Sequence, residues 1–182
     1  MGGRDKAFAA VGGEPIAVRT VRLFRALFPQ VIVATHRPER FRGLGVQTVA
    51  DRYPGCGPLA GIHAGLLGSH HPHAFVAACD MPGLDGDVIR FLLARIGAAD
   101  AIVPCWDGDV EPLHAVYAVR LAADMETSLR AGRYALRDFL GTITVDYVTE
   151  TELRGVRRVA ASLTNVNTPE ELAAVGGHFE EP

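Results

Sequence analysis

Cysteine is scarce in this sequence: Cys56, Cys79 and Cys105 are the three in 182 residues, and no pair has CxxC spacing. An odd set without close pairs argues against a disulfide framework and against structural zinc; it fits reduced thiols in a cytoplasmic protein. Long apolar runs are also missing, and no stretch approaches the roughly 20 residues that a membrane-spanning helix needs. The opening residues, MGGRDK, carry no signal-peptide core. Basic charge is not in excess. Lys and Arg number 18 against 21 Asp and Glu, a net charge of −3, which leaves no electrostatic footprint for nucleic acid. Internal repeats and low-complexity segments are absent as well.

What is present is an ordinary globular composition, 48% hydrophobic and 21% charged, in a length suited to one domain. Such a chain buries roughly 70% of its unfolded surface. The twenty glycines fit many tight strand-to-helix turns.

The chain centres on residues 73–84, HAFVAACDMPGL. Phe75 to Cys79 is a small-apolar run with the pattern of a strand buried on both faces of a parallel sheet. It ends in Asp80, and Pro82 and Gly83 stop any continuation. A carboxylate at the carboxyl end of an interior strand lies where open α/β sheets hold ligands. It suits a divalent metal set against phosphate oxygens, since Mg²⁺ favours one or two carboxylates plus substrate phosphates. The alternative is an aspartate that only caps the next turn.

Other elements follow in order. Pro15 to Phe28 reads as a helix whose apolar stripe is Ala17, Val21, Phe24 and Phe28, with Arg19, Arg22 and Arg25 lying elsewhere. Val31–Ala34 and Val46–Ala50 read as strands. Asp51 to Gly61, DRYPGCGPLAG, is a glycine- and proline-rich loop that opens onto a helix, suited to hold a flat ring or a phosphate, or else a plain connection. His63 falls inside that helix as packing, and His70, His71 and His73 lie in a loop. Asp85 is placed to cap a helix with Val88, Phe91 and Leu92 inward and the stem of Arg95 along them. Ala101–Val103 and the run after Glu111 are further strands, joined by a turn at Trp106 to Asp109. Residues 121–131 and 133–140 read as helices and Ile143–Val148 as a strand. Thr168-Pro-Glu-Glu is a capping box, with Asn165 and Asn167 just before it.

Strands alternating with helices predict a three-layer α/β/α sandwich with a mostly parallel, Rossmann-like sheet. Right-handed crossovers then put Thr35–Arg40, Asp51–Gly61 and Asp80–Leu84 on one edge, lining one cleft.

Five motifs occur in register: MGG-x-DKA at the start, GPLAG at 57–61, CDMP at 79–82, EPLHAVY at 111–117 and NVNTPEEL at 165–172. Together they resemble the MobA-type molybdenum cofactor guanylyltransferases, nucleotidyltransferases of GT-A-like fold, over nearly the whole chain. The resemblance implies one nucleotidyltransferase domain over 1–182. It also implies transfer of GMP from GTP to the phosphate of Mo-molybdopterin with Mg²⁺. Lys6 then matches the lysine on the GTP phosphates and Asp80 the Mg²⁺ ligand. Gly2, Gly3 and Arg4 form half of a phosphate loop rather than a tail. Asp51, Pro58, Leu59, Ala60 and Gly61 lie beside the nucleoside. His114, Asn165 and Asn167 lie on the acceptor side, with Asn167 close enough to reach the metal shell. Molybdoenzyme apoproteins and other cofactor-biosynthesis proteins are the implied partners.

Two departures stand out. Ala34 occupies a position where members often carry Asn. Members also have an apolar strand and an LAGG-x-S-x-R loop ahead of the MGG-x-DK motif; a start upstream of Met1 is expected to supply them, and without that strand interior edges of the sheet are expected to lie open. The attacking phosphate needs no Ser-His-Asp relay, since its second pKa is about 6, and none is visible. Rival readings are a cytidylyltransferase or another nucleotidyltransferase of this fold, and a catalytically silent protein that binds and delivers molybdopterin.

Overall fold

A computed structural model of the protein describes residues 6–178. In chain order the elements are β1 (Ala10–Val11), β2 (Glu14–Pro15), α1 (Ile16–Leu27), β3 (Ile32–Ala34), β4 (Gln47–Val49), α2 (Pro58–Leu67), β5 (His73–Ala77) and α3 (Gly86–Leu93). There follow β6 (Ala101–Trp106), β7 (Asp109–Val110), β8 (His114–Ala118), α4 (Ala122–Arg130), α5 (Leu136–Leu140), β9 (Val145–Val148), α6 (Glu150–Leu153), α7 (Val159–Leu163), α8 (Pro169–Ala174) and β10 (Gly177–His178).

Local chemistry sets the helix starts. The Asp85 carboxylate accepts from the Asp87 amide at 2.9 Å and so caps α3. Thr168 and Glu171 form a complete capping box at α8, and Thr149 and Glu152 form a second at α6. Pro15 is the N-cap of α1, so the helix begins one residue later than the sequence suggests. The segment 133–140 is helical only from Leu136.

The main sheet runs β5-β8-β6, with β9 on the far side of β6. The expectation of a mostly parallel sheet is corrected here. The β5–β8, β6–β8 and β6–β7 ladders are antiparallel, whereas β6–β9 and β3–β4 are parallel. The cause lies in the connection from β6 to β8. It contains a tight hairpin at Asp107 (φ 52°) and Gly108 (φ 81°) but no helix, so the chain returns antiparallel and inserts β8 between β5 and β6.

Helices cover both faces. Leu59, Ile62 and Leu66 of α2, Met125 and Leu129 of α4, and Phe139 of α5 pack with Val103, Ala115 and Tyr117. On the other face Val88 and Leu92 of α3, Leu153 of α6 and Leu163 of α7 pack with Ile102, Val116 and Val148. The buried Tyr117 hydroxyl donates to the Pro112 carbonyl at 2.7 Å, so its burial strands no polar group.

The strand read as most interior is not fully buried. Every residue of β5 is half-buried, while all of β8 is buried. β5 pairs only with β8, and β3 pairs only with β4, so among the described residues no ladder joins β3 to β5. Yet α1 and α2 each span both. On one face Phe24 and Phe28 of α1 meet the Phe75 ring at 5.7 and 6.1 Å, and Val33 packs against the cluster holding Ala17 of α1. On the other, α2 touches β3 and packs over Ala74 and Val76. The two sheets are thus held together by helices on both faces and not by a ladder among the described residues.

Hydrogen exchange tests this arrangement. Along β5, amides bonded to β8 should be protected while the alternate amides, facing β3, exchange at least about tenfold faster. Uniform protection along β5 would contradict an open edge.

Candidate active site

The site is built on the turn after β5. As β5 ends, the Ala78 amide donates to the Leu113 carbonyl at 2.9 Å. Two residues on, the Asp80 carbonyl accepts from the Val166 amide, also at 2.9 Å. Met81 is fully buried. Gly83 lies directly on the backbone of α7: a Cβ there would sit 2.1 Å from the Ala161 carbonyl oxygen, so only glycine fits. The buried Ser162 hydroxyl accepts from the Asp85 amide at 3.0 Å. The backbone of Asp80 is therefore held by β8's entry loop, by α7 and by the 165–167 segment, and its carboxyl group stays half-buried at the strand tip.

The same contacts gather the asparagines. Asn165 and Asn167 flank Val166, so the bond to Asp80 fixes both beside the turn. The Asn167 amide donates to Glu171 Oε2 at 2.5 Å, which ties it to the cap of α8. The Asn165 side chain acts on the Glu111 carboxyl, and its own Oδ1 is buried with no hydrogen-bond partner. Burial raises the Glu111 pKa above the usual carboxyl range, the Asn165 hydrogen bond opposing it. Sequence reasoning gave Glu111 and Ser162 no role and read Gly83 only as a strand stop; the available signal for Glu111 was its place at the head of EPLHAVY.

His114 does not join this group, contrary to its expected place on the acceptor side. Its side chain is wholly buried, both ring nitrogens lack partners, and its ring meets Phe75 edge-on at 5.0 Å. Desolvation lowers its pKa to about 3, so it is neutral packing. β8 is buried along its whole length, and His114 at its start is buried with it. His63 is likewise buried, against Tyr53.

The residues expected beside the nucleoside form the loop from β4 into α2, the helix that precedes β5. Asp51 Oδ1 accepts from the Tyr53 amide at 2.6 Å, and the Tyr53 hydroxyl donates to Glu126 of α4, which anchors the loop. Gly55 and Gly57 have positive φ, 79° and 72°. Leu59 and Ala60 are fully buried, backbone included, and Pro58 is exposed. Gly61 lies 3.9 Å from the Ala34 Cβ by its notional Cβ. Lys6 begins a short 3₁₀ turn through Phe8, and Phe8 packs on Phe41 with the Arg40 guanidinium over its ring. Gly2, Gly3 and Arg4 lie outside the described residues. A groove of ≈ 320 Å³ between α1 and the turn, lined by Arg19, Arg22, Met81, Pro82 and Leu84, does not include Asp80 among its walls and is no part of this site.

Residues 1–148 match the MobA-like NTP transferase domain family. The chain belongs to that family. As a MobA-like NTP transferase it is a nucleotidyltransferase enzyme, and enzymes of this family generally use a divalent metal. It is 35% identical to the probable molybdenum cofactor guanylyltransferase of Pelotomaculum thermopropionicum over 93% of this chain and 83% of that one. It is 32% identical to the molybdenum cofactor guanylyltransferase of Desulfosudis oleivorans over 94% and 86%. Among solved structures it is similar to the molybdopterin-guanine dinucleotide biosynthesis protein A of Archaeoglobus fulgidus, with TM-score 0.79 at 27% identity over 95% and 89% of the two chains. The 2-C-methyl-D-erythritol 4-phosphate cytidylyltransferase of Thermus thermophilus shares the fold, with TM-score 0.72 at 20% identity over 93% and 91%. No helix among the described residues of this MobA-like domain is long and apolar enough to cross a membrane.

Two measurements probe the scaffold of the site. Gly83→Ala should destabilise the protein by about 3 kcal/mol or more, since a backbone oxygen cannot move aside as a side chain would. Gly155→Ala, where a Cβ meets nothing within 4 Å, is the control and should stay within about 0.5 kcal/mol. Urea unfolding reads both. The second concerns His114. Its folded pKa lies below the unfolded value of 6.5, so the unfolded chain binds the extra proton. Its contribution is present in full above 6.5 and is lost as pH falls toward 3. His114→Leu should flatten that part of the acid-side stability profile; an unchanged profile would contradict the assignment.

Proposed function

We propose that the protein is a molybdenum cofactor guanylyltransferase, transferring GMP from GTP to the phosphate of Mo-molybdopterin and releasing pyrophosphate. The observation that carries the reading is Asp80, fixed at a strand tip on three sides inside a MobA-like domain. Relatives bearing that activity in their names, at 35% and 32% identity, support the choice of substrate pair.

A divalent ion fits the donor set. Asp80 and the unpartnered Oδ1 of Asn165 are hard oxygen donors, and no group of three or more His, Cys, Asp or Glu side chains converges among the described residues to form a closed cage. One carboxylate completed by phosphate oxygens and water is the pattern of Mg²⁺. Bound by Asp80, with Asn167 at the edge of its shell, Mg²⁺ would supply positive charge against the phosphates.

The chain's residues position the reactants and offset their charge. A pterin phosphate oxygen attacks the α-phosphorus of GTP, and the bond between that phosphorus and the bridging oxygen to the β-phosphate breaks. The attacking oxygen is already ionised near neutral pH, so no general base is required. Lys6, with Gly2, Gly3 and Arg4, cradles the phosphates and the departing pyrophosphate. Asp51 and the backbone of Pro58 to Gly61 flank the guanosine. Asn165 and Asn167 face the acceptor. The domain spans 1–182, acts in the cytoplasm, and hands its product to molybdoenzyme apoproteins or other cofactor-biosynthesis proteins.

Pyrophosphate release from GTP in the presence of Mg²⁺ and Mo-molybdopterin tests the reading. Asp80→Ala and Lys6→Met should each lower turnover by about 10²–10³. GTP should outcompete CTP; the reverse would make the protein a cytidylyltransferase. Molybdopterin binding without turnover of either nucleotide would make it a delivery protein.

A further inference from the structure

Tyr53 is held by its backbone and by its side chain at once. Its amide donates to Asp51 Oδ1 at 2.6 Å. Its hydroxyl donates to Glu126 Oε1 at 3.1 Å and accepts from Arg130 Nε at 3.3 Å. Arg130 Nη2 also donates to that Glu126 oxygen, at 2.7 Å, so three side chains close one network between the loop and α4. The bonds from Arg130 and Tyr53 hold the Glu126 carboxyl below its usual range, and it stays an ionised acceptor at neutral pH. The helix beneath is firm. Met125 and Leu129, chain neighbours of Glu126 and Arg130, are buried in one cluster with Leu59, Ile62 and Leu66 of α2.

Beyond Tyr53 the loop is set by its own residues. Tyr53-Pro54-Gly55-Cys56 closes with the Cys56 amide on the Tyr53 carbonyl at 3.2 Å, and Gly55 has φ 79°. Proline second and glycine third is the chemistry of a type II turn. Gly57 (φ 72°) is then the N-cap of α2 and Pro58 its first residue. A segment constrained within itself shifts as a unit, so its place depends on where Tyr53 is held. The guanosine contacts assigned above, Asp51 and Pro58 to Gly61, lie on either side of that residue. We propose that Tyr53, latched by Glu126 and Arg130, is a positioning residue for the nucleoside of GTP, an inference that rests on the transferase reading above. Thus α4, which carries none of the proposed substrate contacts, sets affinity for the nucleoside and leaves the triphosphate end alone.

The test is calorimetric titration of the full chain with GTP and with inorganic tripolyphosphate, each in Mg²⁺. Tyr53→Phe should weaken GTP about tenfold, the scale of a hydrogen bond to a charged group, and leave tripolyphosphate within about twofold. Glu126→Ala, an independent variant on the helix, should do the same, and Glu126→Gln, which keeps an acceptor oxygen, should recover part of the loss. The double variant Tyr53→Phe/Glu126→Ala should lose no more than about twofold beyond either single one, because both remove one interaction. Unchanged GTP affinity in both single variants, equal weakening of the two ligands, or losses that multiply in the double variant would overturn the proposal. Failure of the unaltered protein to bind GTP would overturn the transferase reading and the latch with it, whereas normal GTP binding that ignores these substitutions counts against the latch alone.

Discussion

The hydrogen bond from the Val166 amide to the Asp80 carbonyl is the contact on which the architecture of the site depends. It ties the turn at the tip of β5 to the segment leading into α8, far along the chain. Without it the aspartate and the two asparagines would sit on separate loops. A neutral backbone bond of this kind contributes only about 1 kcal/mol net. Its importance is geometric, because Gly83 against Ala161 and Asp85 against Ser162 constrain the same turn from the other side. Backbone contacts thus hold the turn at Asp80 in place from more than one side.

Much of this was legible from local chemistry. The helix caps at Asp85 and Thr168 were readable because capping is decided within four residues. The strand tip at Asp80 was readable because Pro82 and Gly83 stop a strand. The direction of β8 was not, since it depends on a connection whose lack of a helix shows only once Trp106 to Leu113 is seen to hold a hairpin. Strand and crossover patterns look alike until that length is known.

His114 and Glu111 show the limit from opposite sides. They lie three residues apart in one motif, yet one side chain is driven into the core and the other reaches the cleft. The sequence distance carries no information about that choice; the point at which the strand begins does. Asn165 was named as an acceptor contact, but the bond that sets its place runs from the Val166 amide to the Asp80 carbonyl, between segments that nothing in the sequence links. The same holds for Arg95, read as an aliphatic stem along α3, whose guanidinium also bridges Asp146 of β9 and Glu152 of α6.

The edges of β3 and β5 that carry no ladder among the described residues have a consequence for how this polypeptide behaves in concentrated solution. Open strand edges are templates for intermolecular pairing, and nothing among the described residues of β5 places a lysine, a proline or a bulge there to discourage it. Copies meeting edge to edge would extend the sheet from one molecule to the next. Association of this kind grows with protein concentration and is insensitive to the nucleotide.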